Sequence, residues 1–181
     1  MSYSKIAIIG APGTGKTTLA NELSKIYNIP TTHIDGIHHL ENWQIRDKNE
    51  RDKIILDIVE QEKWIIDGTY KTTLKTRLEK ADLVIWLDYS TMAQLKGVIK
   101  RGIKNGGKEK EEIPGCKEQL TKDFLIYVSK YNKEKRKAIV DNLEGIDERK
   151  IMIFKKQKDL NKWLKNIKES NVDGKTNSTI S

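Results

Sequence analysis

Apolar residues gather along this chain in short, near-continuous runs, separated by stretches in which they recur every three or four positions. The runs are Lys5-Ile6-Ala7-Ile8-Ile9, Thr31-Thr32-His33-Ile34, Trp64-Ile65-Ile66, Leu83-Val84-Ile85-Trp86-Leu87 and Lys150-Ile151-Met152-Ile153-Phe154. Their brevity and β-branched content predict five buried strands. Helical stripes lie between them: Leu19, Leu23 and Ile26 over 17–26, then Ile54, Ile55, Ile58 and Val59 over 47–61. A short helix follows near 72–80 and another starts at about 91. A long one over about 117–143 carries Leu120, Phe124, Tyr127, Tyr131, Ala138 and Leu143, and the last carries Leu160, Trp163, Leu164 and Ile167. Apolar strands alternating with amphipathic helices imply a three-layer α/β sandwich, a five-stranded parallel sheet with helices on both faces. Such sheets collect ligands at the carboxyl ends of their strands, so the residues that follow each strand carry the chemistry.

The first of those ends is Gly10-Ala11-Pro12-Gly13-Thr14-Gly15-Lys16-Thr17, which fits the phosphate-binding pattern G-x-x-x-x-G-K-[ST] between a strand and a helix. Glycines let the backbone wrap a phosphate with its N–H groups turned inward, and the helix behind adds the positive end of its dipole. Residues 10–18, with Thr18 closing the set, are the expected nucleotide cradle. Lys16 is expected at the β- and γ-phosphates and Thr17 on Mg²⁺.

The other strands end in acids. Asp67-Gly68 after the third strand is the candidate second member of the Mg²⁺ shell, because the glycine allows close backbone approach. Asp88 resembles an acidic helix start. Asp35, before Gly36, can orient an acceptor hydroxyl or take its proton. All three histidines, His33, His38 and His39, lie in this segment without metal-ligand spacing, and His38 and His39 are read as acceptor-pocket lining or solvated. Trp43 is either a stacking surface or a core plug. Lys71 lies close enough to Asp67 to reach the same phosphates, and Arg77 follows on the next helix. Lys100, Arg101, Lys104 and Lys108 crowd a glycine-bearing stretch, read as a mobile lid-like loop over about 100–114 that excludes water and brings positive charge.

Length allows one domain, 1–169, followed by a polar tail over 170–181 expected to be disordered. The first strand starts too near Met1 for a signal peptide, and no run reaches about 18 apolar residues, so no membrane span is expected. The single cysteine, Cys116, precludes an internal disulfide and suits a reducing cytoplasm. The net charge of +8 comes mostly from lysine, with arginine only at 46, 51, 77, 101, 136 and 149. That balance suits a polyanionic nucleotide; DNA is a possible partner that no motif supports.

Gly10–Thr17, Asp35, Trp64-Ile65-Ile66-Asp67-Gly68-Thr69-Tyr70 and Ala81-Asp82-Leu83-Val84-Ile85-Trp86-Leu87-Asp88 together resemble the adenylate-kinase-related DNA topology-modulation proteins (FlaR-like), over roughly residues 4–168. The wider resemblance is to nucleoside monophosphate kinases and shikimate-kinase-like enzymes, which implies P-loop NTPase strand order 2-3-1-4-5. In adenylate kinases a strand ends in Asp-Gly-Phe-Pro-Arg; Asp67 and Gly68 match its first two positions, and Lys71 stands where its arginine would be. The family name implies an effect on DNA topology, for which these residues show no route.

The resulting expectation is an ATP- and Mg²⁺-dependent phosphotransferase acting on a small-molecule or nucleotide acceptor. Lys16 and the loop amides hold the phosphates, Thr17 and Asp67 place Mg²⁺, Asp35 positions the acceptor, and Arg101 or Arg77 offsets charge on the transferred group. The alternatives are a nucleotide-dependent DNA-binding regulator and a stand-alone ATPase switch.

Overall fold

β-Branched runs become central strands where both of their faces can be covered, and a computed structural model describing residues 3–176 shows that arrangement. In chain order the first half comprises β1 (Lys5–Gly10), α1 (Lys16–Tyr27), β2 (Thr31–His33), α2 (Ile34–His38), a 3₁₀ turn (Glu41–Trp43), α3 (Lys48–Val59), β3 (Trp64–Asp67) and α4 (Lys71–Lys80). The second comprises β4 (Leu83–Leu87), α5 (Thr91–Asn105), β5 (Glu109–Lys110), β6 (Ile113–Lys117), α6 (Lys122–Leu143), a 3₁₀ turn (Glu148–Lys150), β7 (Ile151–Phe154) and α7 (Gln157–Thr176).

Five strands form one sheet in the order β2-β3-β1-β4-β7, with every pairing parallel. This is the expected 2-3-1-4-5 order, the fifth parallel strand being β7 because a separate antiparallel hairpin, β5–β6, intervenes. In the register of the centre, Ile6 lies opposite both Ile65 and Leu83.

Alternation along β1 divides the core. Ile6 and Ile8 join Leu19, Leu23, Ile65, Ile85 and Leu160 on the face covered by α1 and α7. Ala7 and Ile9 join Ile55, Trp64, Leu74, Leu78, Val84 and Ile139 on the face covered by α3, α4 and α6. All of these are almost fully buried, and each large side chain contributes about 1.5–3 kcal/mol by leaving water.

Several boundaries depart from the sequence expectations. β2 stops at His33, so Ile34 and Asp35 open a short helix instead of ending the strand. The stretch expected as a lid-like loop is largely ordered. Lys100, Arg101 and Lys104 lie on α5, which continues to Asn105, and Gly106 and Gly107 then lead into the hairpin. Gly102 lies on this helix, where a Cβ would come within 3.0 Å of the Leu120 side chain. Leu120 is therefore a packing residue ahead of α6, which starts at Lys122 with Thr121 as its cap rather than at about 117. α7 continues to Thr176, into the segment expected as a tail; residues 177–181 of that segment lie outside the described residues.

Candidate functional site

The strand-to-helix turn after β1 needs backbone geometry that only glycine adopts easily. Gly13 and Gly15 have φ of 77° and 87°, and Gly15 caps α1 without any side chain over the helix end. No acidic residue occupies the first turn of α1, so its N–H groups and dipole face the cleft. Thr14 steadies the loop by donating to the Ala11 carbonyl at 2.8 Å. The loop is also tied sideways: the Gly10 N–H donates to Thr69 Oγ1 at 3.0 Å and the Thr69 hydroxyl donates back to the Gly10 carbonyl at 2.9 Å. Thr69 was not among the expected site residues; it lies one position beyond Asp67-Gly68, where the signal was visible.

Lys16 turns its ammonium group onto the Ala11 carbonyl at 2.9 Å. Desolvation lowers its pKa, while Asp35 and Asp67 act in the opposite direction and Arg101 and Lys110 reinforce the lowering.

Asp67 is 4% exposed and is held from both sides. The Thr17 hydroxyl donates to its Oδ2 at 3.0 Å, and His33 Nδ1 lies 2.9 Å from its Oδ1. Burial lowers the His33 pKa, but the Asp67 hydrogen bond and charge, with Glu112 and Asp35, outweigh burial and leave it raised. Thr17 and Asp67 supply hard oxygen ligands at the end of the phosphate loop. That donor set fits Mg²⁺, which takes a carboxylate and a hydroxyl and fills its remaining positions with water and phosphate oxygens. Among the described residues, no three His, Cys, Asp or Glu side chains form a metal-binding group.

Asp35 is exposed to the same cleft, where Tyr70 donates its hydroxyl to Oδ1 at 3.0 Å. A row of rings extends from there: Tyr70 to His38 at 4.9 Å, His38 to His39 at 4.6 Å and His39 to Trp43 at 5.2 Å between centroids. Trp43 is thus a cleft-facing ring, with the Lys110 ammonium 5.7 Å from its centroid. Burial lowers the pKa of both His38 and His39, and His39 Nδ1 is buried without a partner. Neutral imidazoles are the forms this wall accommodates.

Arg77 is placed differently from expectation. It is fully buried and absent from the cleft lining. Its fork donates to the carbonyls of Gly68 at 2.8 Å and Tyr70 at 3.0 Å, and its Nε to Thr73 at 3.2 Å. Desolvation pulls its pKa down to about 10, against the pull of Asp67 and Asp52. A guanidinium so engaged braces the turn after β3 and is not among the cleft-lining groups. Arg101 does line the cleft, tethered through Nε to Glu118 Oε1 at 3.0 Å. Lys71, Lys100, Lys104 and Lys108 line it as well. Asp88 is not a helix cap, a role taken by Ser90; it pairs with Arg136 through both oxygens, at 2.9 and 2.8 Å.

The cleft that unites these groups measures about 1440 Å³. The phosphate loop, Thr17, Asp67 and Arg101 line one part, and Asp35, His38, His39, Trp43, Tyr70 and the α6 rings Phe124, Tyr127 and Tyr131 another. The hairpin closes onto the second part. A Cβ on Gly36 would lie 2.2 Å from the Glu112 carbonyl, and the Trp43 N–H donates to Cys116 Sγ at 3.1 Å.

A family model described as an AAA domain matches residues 5–98, just over half of the chain. No curated protein matches it. Among solved structures, the shikimate kinase from Acinetobacter baumannii in complex with shikimate is similar with a TM-score of 0.60 and 15% identity, over 95% of this chain and 94% of that one. The shikimate kinase from Aquifex aeolicus is similar with a TM-score of 0.52 and 19% identity, over 95% and 98%. At these identities the likeness is one of fold: the P-loop kinase-like sandwich.

Proposed function

The chain belongs to the AAA-domain family, and from that premise we propose that it is an ATP- and Mg²⁺-dependent phosphotransferase acting on a small-molecule acceptor. The observation that carries this reading is the contact between the Thr17 hydroxyl and Asp67, at 3.0 Å, beside Lys16 and the glycine cradle. It joins residues far apart in sequence to which this reading assigns a triphosphate tail and its cation.

Lys16 and the amides of the 10–18 loop hold the β- and γ-phosphates. Thr17 and Asp67 offer oxygens to Mg²⁺, which when bound neutralises charge between the β- and γ-phosphates. Asp35 orients the acceptor hydroxyl and takes its proton, and Arg101 faces the charge that develops on the transferred group. Rate enhancement comes from positioning and a fixed electrostatic field, with the hairpin excluding water. We place the protein in a reducing compartment, where the buried thiol of Cys116 stays free. Among the described residues, no helix is long and apolar enough to cross a membrane.

Calorimetry with Mg·ATP, followed by tracing the γ-phosphate, tests the reading. Binding that Lys16→Ala abolishes, with label appearing in an added alcohol, supports it. Undiminished binding in Lys16→Ala, or transfer to water alone, overturns it; the second result describes an ATPase switch.

A further inference from the structure

The acceptor half of the cleft has a distinctive charge pattern. An anionic acceptor, whether phosphate or carboxylate, is best gripped by a free guanidinium fork. Each of the six arginines, all among the described residues, already has a partner within the protein. Arg77 holds the Gly68 and Tyr70 carbonyls, and Arg136 and Arg149 pair with Asp88 and Asp147. Arg46 holds the Ile37 carbonyl and Glu50. Arg51 is clamped to Asp52 at 2.6 and 2.9 Å and lies against the Tyr70 ring, 5.1 Å from its centroid. Arg101, the only arginine lining the cleft, is tethered to Glu118, which also takes Lys110 at 3.5 Å. Lys71 and Lys135 line the cleft but stand exposed, where water already solvates them.

In place of a free fork, this half of the cleft presents a carboxylate and rings. Asp35 lines the cleft beside these rings, with one of its oxygens accepting from Tyr70. His38, His39 and Trp43 form a row of rings in the cleft lining, and Tyr127, edge-on to Tyr131 at 5.8 Å, lines the same cleft. An anion drawn between them would face Asp35 and Glu112, and the cation at this wall, Lys110 beside Trp43, is already paired with Glu118, an unfavourable exchange for its hydration. A flat, uncharged ring loses little water and gains two aromatic faces. The volume of about 1440 Å³ also exceeds the 300–1,000 Å³ of an ordinary single-ligand pocket, leaving room for a second molecule beside the nucleotide.

We infer that the acceptor is an uncharged, ring-bearing alcohol of the nucleoside type, held between the His38–His39–Trp43 wall and Tyr127, with its hydroxyl on Asp35. The inference rests on the phosphotransferase reading. In the step, the acceptor oxygen forms a bond to the γ-phosphorus of ATP as the bond from that phosphorus to the β,γ-bridging oxygen breaks. The hydroxyl proton passes to Asp35 and then to water, and ADP leaves with the bridging oxygen.

The test compares adenosine, guanosine, cytidine, uridine and thymidine with their 5′-monophosphates and with shikimate, each with γ-labelled Mg·ATP and the full chain. Label is expected in at least one nucleoside, with kcat/KM about tenfold or more above that of its monophosphate. Asp35→Asn is expected to reduce this transfer about 100-fold or more, since it removes the proton acceptor while keeping the side-chain shape. Tyr127→Leu is expected to raise the nucleoside KM more than it lowers kcat, with calorimetric ATP affinity within about twofold, as loss of a stacking face predicts. Preference for a monophosphate or for shikimate, or labelling of no nucleoside, overturns the inference. Loss of the phosphotransferase reading itself is recognised separately, by failure of the wild-type chain to bind Mg·ATP.

Discussion

The Thr17 hydroxyl donates to Asp67 Oδ2 across 3.0 Å, joining the first turn of α1 to the end of β3. Asp67 is nearly sealed from solvent, and its other oxygen faces His33 at 2.9 Å, so each of its two oxygens has a partner. Thr17→Val, which keeps shape and removes the hydroxyl, is expected to weaken Mg·ATP binding about 10–100-fold. Binding of ATP in the presence of a chelator should change far less. Thr17→Ser should restore most of the loss. Equal losses with and without Mg²⁺ in calorimetry would show that Thr17 serves the fold alone.

Arg77 predicts a stability effect rather than a specific catalytic one. Replacing it with Ala leaves the buried Gly68 and Tyr70 carbonyls without their donor, which is expected to cost about 3 kcal/mol in urea denaturation. Because that turn also carries Thr69, the variant should bind ATP more weakly in proportion to its unfolded or loosened fraction. A variant of wild-type stability that fails only in turnover would return Arg77 to the reacting phosphate.

Gly36 lies inside α2, at a backbone conformation any residue adopts, yet an alanine there would put its Cβ 2.2 Å from the Glu112 carbonyl. Gly36→Ala is therefore expected to lift the hairpin off α2 at a cost of about 1–3 kcal/mol. Amide hydrogen exchange over 109–117 should accelerate, together with that of the Trp43 N–H. Unaltered protection in both places would contradict the contact.

The histidines give opposing pH dependences. For His38 and His39, whose pKa values burial lowers, the unfolded chain takes protons that the fold refuses. Their stabilising contribution is complete above the ordinary imidazole range and is lost as pH falls through the depressed values. His33 is raised by Asp67, so its contribution is complete below that range and is lost as pH rises through the raised value. In urea denaturation between about pH 7.5 and about pH 5.5, the double variant His38→Gln/His39→Gln should lose less stability than wild type. His33→Gln should lose more. The reverse ranking would refute the assigned environments.

The sheet and the phosphate loop were legible from the sequence because their signals are local. A β-branched run fixes a strand, and the glycine and lysine spacing fixes the loop that follows. The position of Asp67 in the cleft was legible for the same reason, as the acid at a strand end. Arg77 misled because sequence distance places it near the site without saying which way its fork turns; only the packing of α4 against the sheet shows it facing the Gly68 and Tyr70 carbonyls. The hairpin was hidden because Glu109–Lys110 and Ile113–Lys117 are short, polar and interrupted by Pro114. Their pairing depends on a docking surface at α2 and Trp43 that no local pattern announces.

Helix α5 rests on the phosphate loop backbone against backbone, with the Val98 side chain beside the contact. A Cβ on Gly97 would fall 2.0 Å from the Gly13 carbonyl, and one on Gly13 would fall 2.4 Å from the Gln94 carbonyl. Contacts made main chain to main chain have no rotamers to absorb displacement. Any tilt of the helix that bears Arg101 and feeds the hairpin must therefore be felt by the backbone of the glycine loop after β1. The two halves of the cleft are mechanically one part, geared at a pair of glycines.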